Sequence, residues 1–431
     1  MGLHEISRLT RAYTLKIRYI ALSINQKQPY MRRYILLILS LFYLSSCFRW
    51  GARAFDDFPE DIALNNTYTY PGKVIIVGAG ASGLAAAAVC EKNNIDYLIL
   101  EASDRYGGRL KRDTSLADFP IDLGAEWIHN KPLIINRLIG LEHDSLVRDL
   151  IPYHLNHGYQ WDGRRLKKVS QAMNNFRFSF FPEYKFKRSS WYDYVNQYFA
   201  QDVLHHIEYN KQIVSIDYSG DQVALRCADG DTYYADKALV TVSIGVLQSE
   251  DISFNPPLST ERNNAINRVE FLPGLKVVMT FTEKFYPDAI NCKISNGEKA
   301  YYDMAFSKES SYNVLGLLAT GEAAEQTYSL GSEKDILNHA LQELDRMYEG
   351  KATACFTGNF HIEDWGRHRF TLGTWTNAAL NKPFDLNALN KSLNRKVYFA
   401  GEIYDVHQQL GVPGAILSGY DAIDRMLSNK E

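Results

Sequence analysis

The stretch from Lys73 to Arg109, KVIIVGAGASGLAAAAVCEKNNIDYLILEASDRYGGR, limits the possible folds of this chain more than any other part of it. The apolar, β-branched run Val74–Val77 predicts a buried strand. A glycine turn follows directly and leads into an alanine-rich helix that extends to about Lys92. A second apolar run at 97–100 ends on Glu101. This order of strand, glycine turn, helix, strand and acidic residue is typical of a unit that binds a dinucleotide.

Each glycine of the turn has a separate task. Gly78 permits the tight turn, Gly80 lets the backbone approach a pyrophosphate, and Gly83 lets the helix pack closely on the strand. Backbone N–H groups at the start of the helix then hold the phosphates without a basic side chain. We therefore predict that the cofactor is bound by Gly78, Ala79, Gly80, Ala81, Ser82 and Gly83, with Glu101 accepting the adenosine ribose hydroxyls. The glycine motif taken alone would also fit any glycine-rich turn.

Motifs further along the chain indicate which dinucleotide is bound. They are RYGGR at 105–109, DLGAEWIH at 122–129, VTVSIGVL at 240–247, PGLKVVMTF at 273–281, VYFAGE at 397–402 and GVPGAILSG at 411–419. In this order they resemble the FAD-containing amine oxidase family, which includes monoamine oxidases, polyamine oxidases and flavin histone demethylases. The resemblance extends from about residue 72 to residue 428.

The resemblance implies FAD as the cofactor, and we predict no metal ligands. Beyond the glycine turn and Glu101, the implied FAD contacts are Arg109, Gly124, Ala125, Glu126, Trp127, Ile213, Gly401, Glu402, Gly411 and Val412. In relatives, the helix that begins near Pro413 directs its positive end at the flavin C2 carbonyl. Thr374 stands where monoamine oxidases carry the cysteine that tethers FAD, so the flavin is expected to be non-covalent.

Lys276 has two interpretations. Because it lies within an apolar strand, it fits an edge-strand lysine whose ammonium reaches water. The resemblance instead assigns it to the family lysine that faces flavin N5 through a water molecule and assists the reaction with dioxygen. Since burying an ammonium is costly, the second interpretation favours a catalytic role.

Three further residues are candidates for the substrate region. His129 is either a structural hydrogen-bonding residue or a group that orients a substrate amine or takes its proton. Glu126 is either a surface charge or a group that attracts a cationic amine. Trp375 matches the first of two aromatic rings that flank the amine in relatives, whereas the second position falls on Gly411, which has no ring.

The predicted fold class is α/β, with a Rossmann-like FAD lobe assembled from discontinuous segments and a mixed-sheet α+β substrate lobe whose helical part is shortened. We predict a signal or anchor with N-terminal extension at 1–54, FAD-binding parts at 72–135, 206–250 and 393–428, a reduced helical segment at 136–205 and a substrate domain at 251–392. Local patterns predict one helix at 191–205, a hairpin turn at Asp229-Gly230, a return strand at 233–242 and a helix from Ser332 to Tyr348.

Composition and the N-terminus limit the partners and the location. The formal net charge of −3 indicates no basic surface for nucleic acid, and the five cysteines have no spacing that indicates a zinc site or disulfide framework. The apolar run at 34–44, preceded by Arg32-Arg33, resembles a secretory signal. Cleavage before a lipidated Cys47, cleavage after Ala54 and an uncleaved anchor all remain open, and Met31 is an alternative start. We expect export, with any membrane attachment through this segment only.

Together these observations predict a flavin-dependent oxidoreductase. The leading interpretation is an amine oxidase that transfers hydride from a primary or secondary amine, either polyamine-like or aryl, to flavin N5 and uses dioxygen as acceptor. One alternative is a dehydrogenase or desaturase with another acceptor. The other is a flavin-binding interaction protein with little turnover.

Overall fold

A computed structural model describes residues 58–59, 61–141, 146–180, 182–376, 385–406 and 411–428. The predicted export segment at 1–54 lies outside these ranges. Within the described ranges, we find no helix with both the length and the apolar character needed to cross a bilayer.

The secondary structure alternates between short strands and helices. The strands are β1 Val74–Val77, β2 Tyr97–Leu100, β3 Arg112–Asp113, β4 Ile121–Asp122, β5 Leu150–Pro152, β6 Gly158–Trp161, β7 Leu166–Lys168, β8 Tyr184–Phe186, β9 Ile207–Glu208, β10 Ile213–Asp217, β11 Val223–Cys227, β12 Thr232–Ala235, β13 Lys237–Val240, β14 Ser253–Asn255, β15 Gly274–Phe281, β16 Ala289–Cys292, β17 Lys299–Asp303, β18 Asn313–Thr320, β19 Phe356–Asp364 and β20 Val397–Phe399. The α-helices are α1 Ala81–Lys92, α2 Ile134–Arg137, α3 Gln171–Phe180, α4 Trp191–Val195, α5 Ile244–Gln248, α6 Thr260–Arg268, α7 Glu322–Tyr328, α8 Glu333–Tyr348, α9 Lys351–Cys355, α10 Leu386–Asn390 and α11 Gly411–Leu427.

Strand β1 is the central strand of a five-stranded parallel sheet in the order β20-β13-β1-β2-β9. Val74 and Ile76 face a core built with α1 and α11, whereas Ile75 and Val77 face a core shared with a second sheet. Burial on both faces explains why the run is apolar throughout rather than alternating. The five strands come from three separate parts of the chain, as predicted, and the Rossmann-like lobe is confirmed.

The second sheet has four strands in the order β12-β11-β10-β14. The predicted hairpin joins β11 to β12, and Gly230 adopts φ +99° in its turn. The single return strand predicted for 233–242 is wrong, because β12 and β13 belong to different sheets. Asp236 lies between them, and its carboxylate accepts a hydrogen bond from the Lys73 N–H at 2.6 Å. A continuous β pattern does not show where a chain changes its pairing partner.

The third sheet has seven strands in the order β19-β15-β18-β17-β16-β6-β7, so β15 is an interior strand. Every residue of β15 is buried. Lys276 lies opposite Leu318 on one neighbouring strand and Glu363 on the other. The interpretation of Lys276 as an edge-strand lysine is therefore wrong.

Helix α8 covers one face of this sheet and confirms the helix predicted from Ser332. Ser332 and Asp335 form the reciprocal capping box. The buried face of α8, which includes Ile336 and Leu341, packs against alternate residues of β15, among them Leu275 and Val277. Lys276 and Val278 point to the opposite face, and this alternation directs the lysine away from the helix.

The segment at 136–205, predicted to be helical, contains four strands as well as short helices. Strand β6 pairs with β16 and β7 pairs with β6, so both extend the seven-stranded sheet. The helix predicted for 191–205 is divided into α4, a π-helical turn at Asn196–Ala200 and a 3₁₀ turn at Leu204–His206. Trp191, Tyr194 and Val195 are buried, whereas Tyr198, which the helical pattern would place on the same face, is only partly buried.

Candidate active site

A cavity of about 580 Å³ begins at the carboxyl ends of β1 and β2 and reaches the seven-stranded sheet. The predicted site residues on its wall are Gly78, Gly80, Ala81, Ser82, Glu101, Arg109, Gly124, Ala125, Glu126, Trp127, His129, Ile213, Lys276, Trp375, Gly401, Glu402, Gly411 and Val412. Ala79 and Gly83 are not on the wall. Residues far apart in sequence are thus brought to one cavity.

The glycine turn has the packing expected of a phosphate-binding turn. A Cβ on Gly83 would lie 2.1 Å from the Gly78 carbonyl oxygen, so only glycine lets α1 approach the turn this closely. A Cβ on Gly80 would meet no described atom within 4 Å. Gly80, the N-cap of α1, makes no side-chain capping hydrogen bond, so the N–H groups of the first turn suit a phosphate group.

Glu101 and Arg109 organise the wall next to this turn. The Glu101 carboxylate accepts hydrogen bonds from the Ala79 N–H at 2.7 Å and from the Ser103 N–H at 2.9 Å. The Arg109 guanidinium lies 3.2 Å from a Glu402 carboxylate oxygen and donates to the Thr374 carbonyl. Arg109 therefore connects the first dinucleotide segment to the last one.

At the seven-stranded sheet, the cavity-wall residues Glu126 and Lys276 form a buried charge cluster with Lys185 of β8, which is not on the wall but is included in the name Glu126 triad. The Lys276 ammonium lies 2.8 Å from one Glu126 oxygen, and the Lys185 ammonium lies 2.5 Å from the other. The Tyr302 hydroxyl also donates to Glu126 at 2.7 Å. Since Glu126 is only 4% exposed, its interpretation as a surface charge is wrong.

The triad controls the protonation of its surroundings. Burial opposes the ionisation of Glu126, but Lys185 and Lys276 outweigh that effect and lower the Glu126 pKa to about 2. Burial and then the Glu126 charge hold the pKa of Asp122 well above its usual range. Burial and the same charge also raise the pKa of Tyr302, so its hydroxyl remains a donor.

Comparison with known proteins agrees with this geometry. The sequence model of the flavin containing amine oxidoreductases matches residues 183–427, and that of the NAD(P)-binding Rossmann-like domain matches residues 76–135. The chain belongs to the flavin-containing amine oxidoreductase family. It is therefore a flavin-dependent oxidoreductase, and it is FAD-dependent.

Several curated proteins align with this amine oxidase over most of its length. Polyamine oxidase 1 of Zea mays is 25% identical over 83% of this chain and 90% of its own length. Polyamine oxidase 4 of Oryza sativa subsp. japonica is 24% identical over 82% and 88%, respectively. Lysine-specific histone demethylase 2 of Homo sapiens is 24% identical over 80% of this chain and 52% of its own length. The prediction of the family is confirmed.

The residues around the cavity fit FAD. The uncapped α1 start and the open space at Gly80 suit a pyrophosphate. Glu101 is only 8% exposed, yet a carboxylate has further lone pairs for ribose hydroxyls. Helix α11 begins at Gly411, which also lines the cavity. Thr374 donates its hydroxyl to the Leu272 carbonyl at 2.8 Å and is no thiol, consistent with non-covalent FAD. The individual FAD contacts stay predictions.

The substrate-side candidates differ in their surroundings. His129 is exposed, and its Nδ1 lies 3.4 Å from a Glu183 carboxylate oxygen. Trp375 packs beside the aromatic core that includes Tyr153 and Tyr302. Gly411 contributes no aromatic ring to this side of the cavity. A Cβ at this position would meet no described atom within 4 Å.

Sequence reasoning missed Lys185, Tyr302 and Tyr153. The Lys185 ammonium lies 5.2 to 5.7 Å from the ring centroids of Trp127, Tyr153 and Tyr302. Its sequence signal was limited to a lysine between two aromatic residues, Tyr184 and Phe186. That signal indicates a half-buried strand and says nothing about a partner at Glu126.

Proposed function

We propose that this amine oxidase removes hydride from the α-carbon of a primary or secondary amine and uses dioxygen as the final electron acceptor. The imine formed hydrolyses to a carbonyl compound and an amine or ammonia, and dioxygen takes two electrons and two protons to become hydrogen peroxide. FAD, when bound, supplies the hydride acceptor at N5 and passes the electrons on. The observation that carries the proposal is a buried, ion-paired lysine on the wall of the dinucleotide cavity.

Lys276 is suited to the oxygen half of the reaction. Its ammonium is held by Glu126 at 2.8 Å and by the Asp122 carbonyl at 3.0 Å. Ordering by two acceptors fixes the position of the charge before dioxygen arrives. A fixed cation in a water-poor site stabilises the negative charge that develops on oxygen as it is reduced.

The outer wall is suited to binding an amine. Glu183 and Glu298 line the cavity and bring carboxylates to it, while Trp375 and Tyr153 bring aromatic surface. Carboxylates bind a distal ammonium group, and aromatic faces bind either aryl rings or cations. His129, which lines the cavity beside Glu183, is our candidate for the base that takes the proton which the reacting amine must lose before hydride transfer. Relatives named polyamine oxidases favour a substrate with more than one amino group.

Substitution of Lys276 by Met tests the assignment of the acceptor. The variant keeps the length of the side chain and removes the charge. Rapid mixing should show reoxidation by dioxygen slowed about tenfold or more, each decade being about 1.4 kcal/mol of barrier, while anaerobic reduction by the amine changes less. The matched control is Lys299→Met, which removes another lysine–glutamate pair, at 2.7 Å from Glu343, on the same sheet. It should leave both half-reactions at the wild-type rates.

The same measurements separate the alternatives. Peroxide release across a panel of polyamines and aryl amines supports the oxidase and gives the substrate class. Flavin reduction without peroxide would point to a dehydrogenase with another acceptor. Bound FAD without reduction by any amine of the panel would point to a flavin-binding interaction protein. Equal slowing of both half-reactions in Lys276→Met would show a displaced cofactor and contradict the oxygen-specific role.

A further inference from the structure

A second cluster of metal-ligating side chains lies away from the cavity. Glu91 is in the last turn of α1, and His205 and His206 are in the 3₁₀ turn that precedes β9. One ligand atom from each of the three lies within 4.8 Å of those from the other two. Among the described residues, this is the group of His, Cys, Asp and Glu side chains that meets such a distance limit with three members. None of the three lines the catalytic cavity.

We propose that Glu91, His205 and His206 bind a divalent transition-metal ion with the preferences of Zn²⁺. Two imidazoles and one carboxylate form a donor set used for zinc and for neighbouring ions such as Co²⁺ and Ni²⁺. Zinc–ligand bonds of about 2.0–2.2 Å place tetrahedral ligand atoms roughly 3.5 Å apart, so no pair of ligand atoms has to approach by more than about 1.3 Å. His205 is exposed and the other two are partly exposed, and rotation about their side-chain bonds accommodates that change.

The surroundings of Glu91 already orient it for this role. The Tyr97 hydroxyl donates to Glu91 Oε2 at 2.7 Å, and the Tyr97 ring centroid lies 4.3 Å from that of His206. Such supporting hydrogen bonds fix the direction of a ligand and raise its metal affinity.

An ordinary ion pair explains only part of the cluster. His206 Nε2 lies 3.6 Å from Glu91 Oε2, which a simple pair would account for. It does not account for His205, whose ring centroid lies 4.2 Å from that of His206 and whose ligand atom converges on the same region. Two imidazoles and a carboxylate around one point are accounted for by a shared cation.

The proposed ion would connect two parts of the FAD lobe. Helix α1 begins at the glycine turn, and β9 is the edge strand of the parallel sheet. A metal at Glu91 would join the far end of α1 to the residues just before that edge strand. Because the unfolded chain does not hold the three ligands together, binding would stabilise the folded state.

Titration of the FAD-loaded protein, free of any histidine tag, tests the proposal. Isothermal calorimetry with Zn²⁺ should show one bound equivalent, and Co²⁺ should produce a d–d absorption at wavelengths longer than the flavin bands. Glu91→Gln keeps an acceptor for Tyr97, and it and His206→Ala should each weaken binding at least tenfold. His154→Ala removes an exposed histidine elsewhere and serves as the control. Zinc should raise the melting temperature of the wild type and of His154→Ala. It should not raise the melting temperature of Glu91→Gln or His206→Ala.

Each outcome decides the proposal. No zinc uptake by the wild type, or equal uptake by the wild type, Glu91→Gln and His206→Ala, would overturn it. Circular dichroism of the metal-free variants establishes that they are folded, and Glu91→Gln remains a test of the site if His206→Ala fails to fold.

Discussion

Lys185 has a central place in the Glu126 triad, although its sequence pattern did not indicate a role in the site. It is buried, it binds the Glu126 oxygen that Lys276 does not use, and three aromatic rings surround its ammonium. Two lysines and one carboxylate leave one excess positive charge in the triad. We infer that Lys185 acts through Glu126, because it keeps that carboxylate ionised and so keeps Lys276 in place.

Substitution of Lys185 by Met tests this positioning role through pH. The folded-state pKa of Glu126, about 2, lies below its ordinary value of 4.5, so its contribution to stability is complete above about pH 4.5 and is lost as the pH falls toward 2. That shift corresponds to a contribution on the order of 3 kcal/mol. In Lys185→Met the pKa of Glu126 should rise, and the acid loss of stability and of reoxidation rate should begin about one pH unit higher or more.

Urea unfolding and rapid-mixing reoxidation, each measured across the acid range, give the two profiles. Lys187→Met is the control, because Lys187 pairs with the exposed Glu309 and a surface pair of this kind contributes little. The Lys185 variant retains a matched Glu126–Lys276 pair and should therefore fold. Identical acid profiles for wild type and Lys185→Met would show that Lys185 has no effect on Glu126.

At the scale of elements, the turn between β1 and α1 separates two functions of glycine. Gly83 is required for packing, because a Cβ there would lie 2.1 Å from the Gly78 oxygen. Gly80 is next to open space, at a backbone conformation of φ −79° and ψ 180° that alanine adopts easily. The two positions therefore respond differently to the same added methyl group.

A matched pair of alanine variants tests this distinction. Gly83→Ala should lower the unfolding free energy of the apoprotein by about 1–3 kcal/mol or more, because α1 must move away from the turn. Gly80→Ala should change that energy by less than about 1 kcal/mol yet weaken FAD binding at least tenfold, since its methyl group enters the cavity. Urea unfolding and titration with FAD measure the two effects. Unchanged FAD affinity in Gly80→Ala would show that the pyrophosphate does not approach this residue.

At the scale of the whole molecule, the cellular location of the protein is inferred from its N-terminal sequence. We propose export directed by the apolar run at 34–44. A reporter fused after Glu431 should be found outside the cytoplasm when the full chain is expressed. Cys47→Ser should release the protein from the membrane if Cys47 is lipidated, and should have no effect if cleavage follows Ala54. A reporter that stays cytosolic in both chains would contradict the proposal.

Short-range pattern was sufficient for much of the fold. The β1–α1–β2 unit, the β11–β12 hairpin and the capped helix α8 each depend on residues within one short window, and all three were predicted correctly. The return strand at 233–242 was not, because β12 and β13 continue one β pattern while they pair in different sheets. Strand pairing depends on distant partners, and one strand's own residues do not specify it.

Motifs whose residues are close together in the chain predict the family, FAD as the cofactor and Lys276 as the family lysine. They do not predict the environment of Lys276, because Glu126, Lys185 and Lys276 come from different elements and meet only after the sheets assemble. The same holds for the metal cluster, in which Glu91 is more than a hundred residues from His205. Local backbone and packing preferences depend on residues that are neighbours in the chain. Ionisation and ligand geometry depend instead on burial and on partners that only the folded chain brings together.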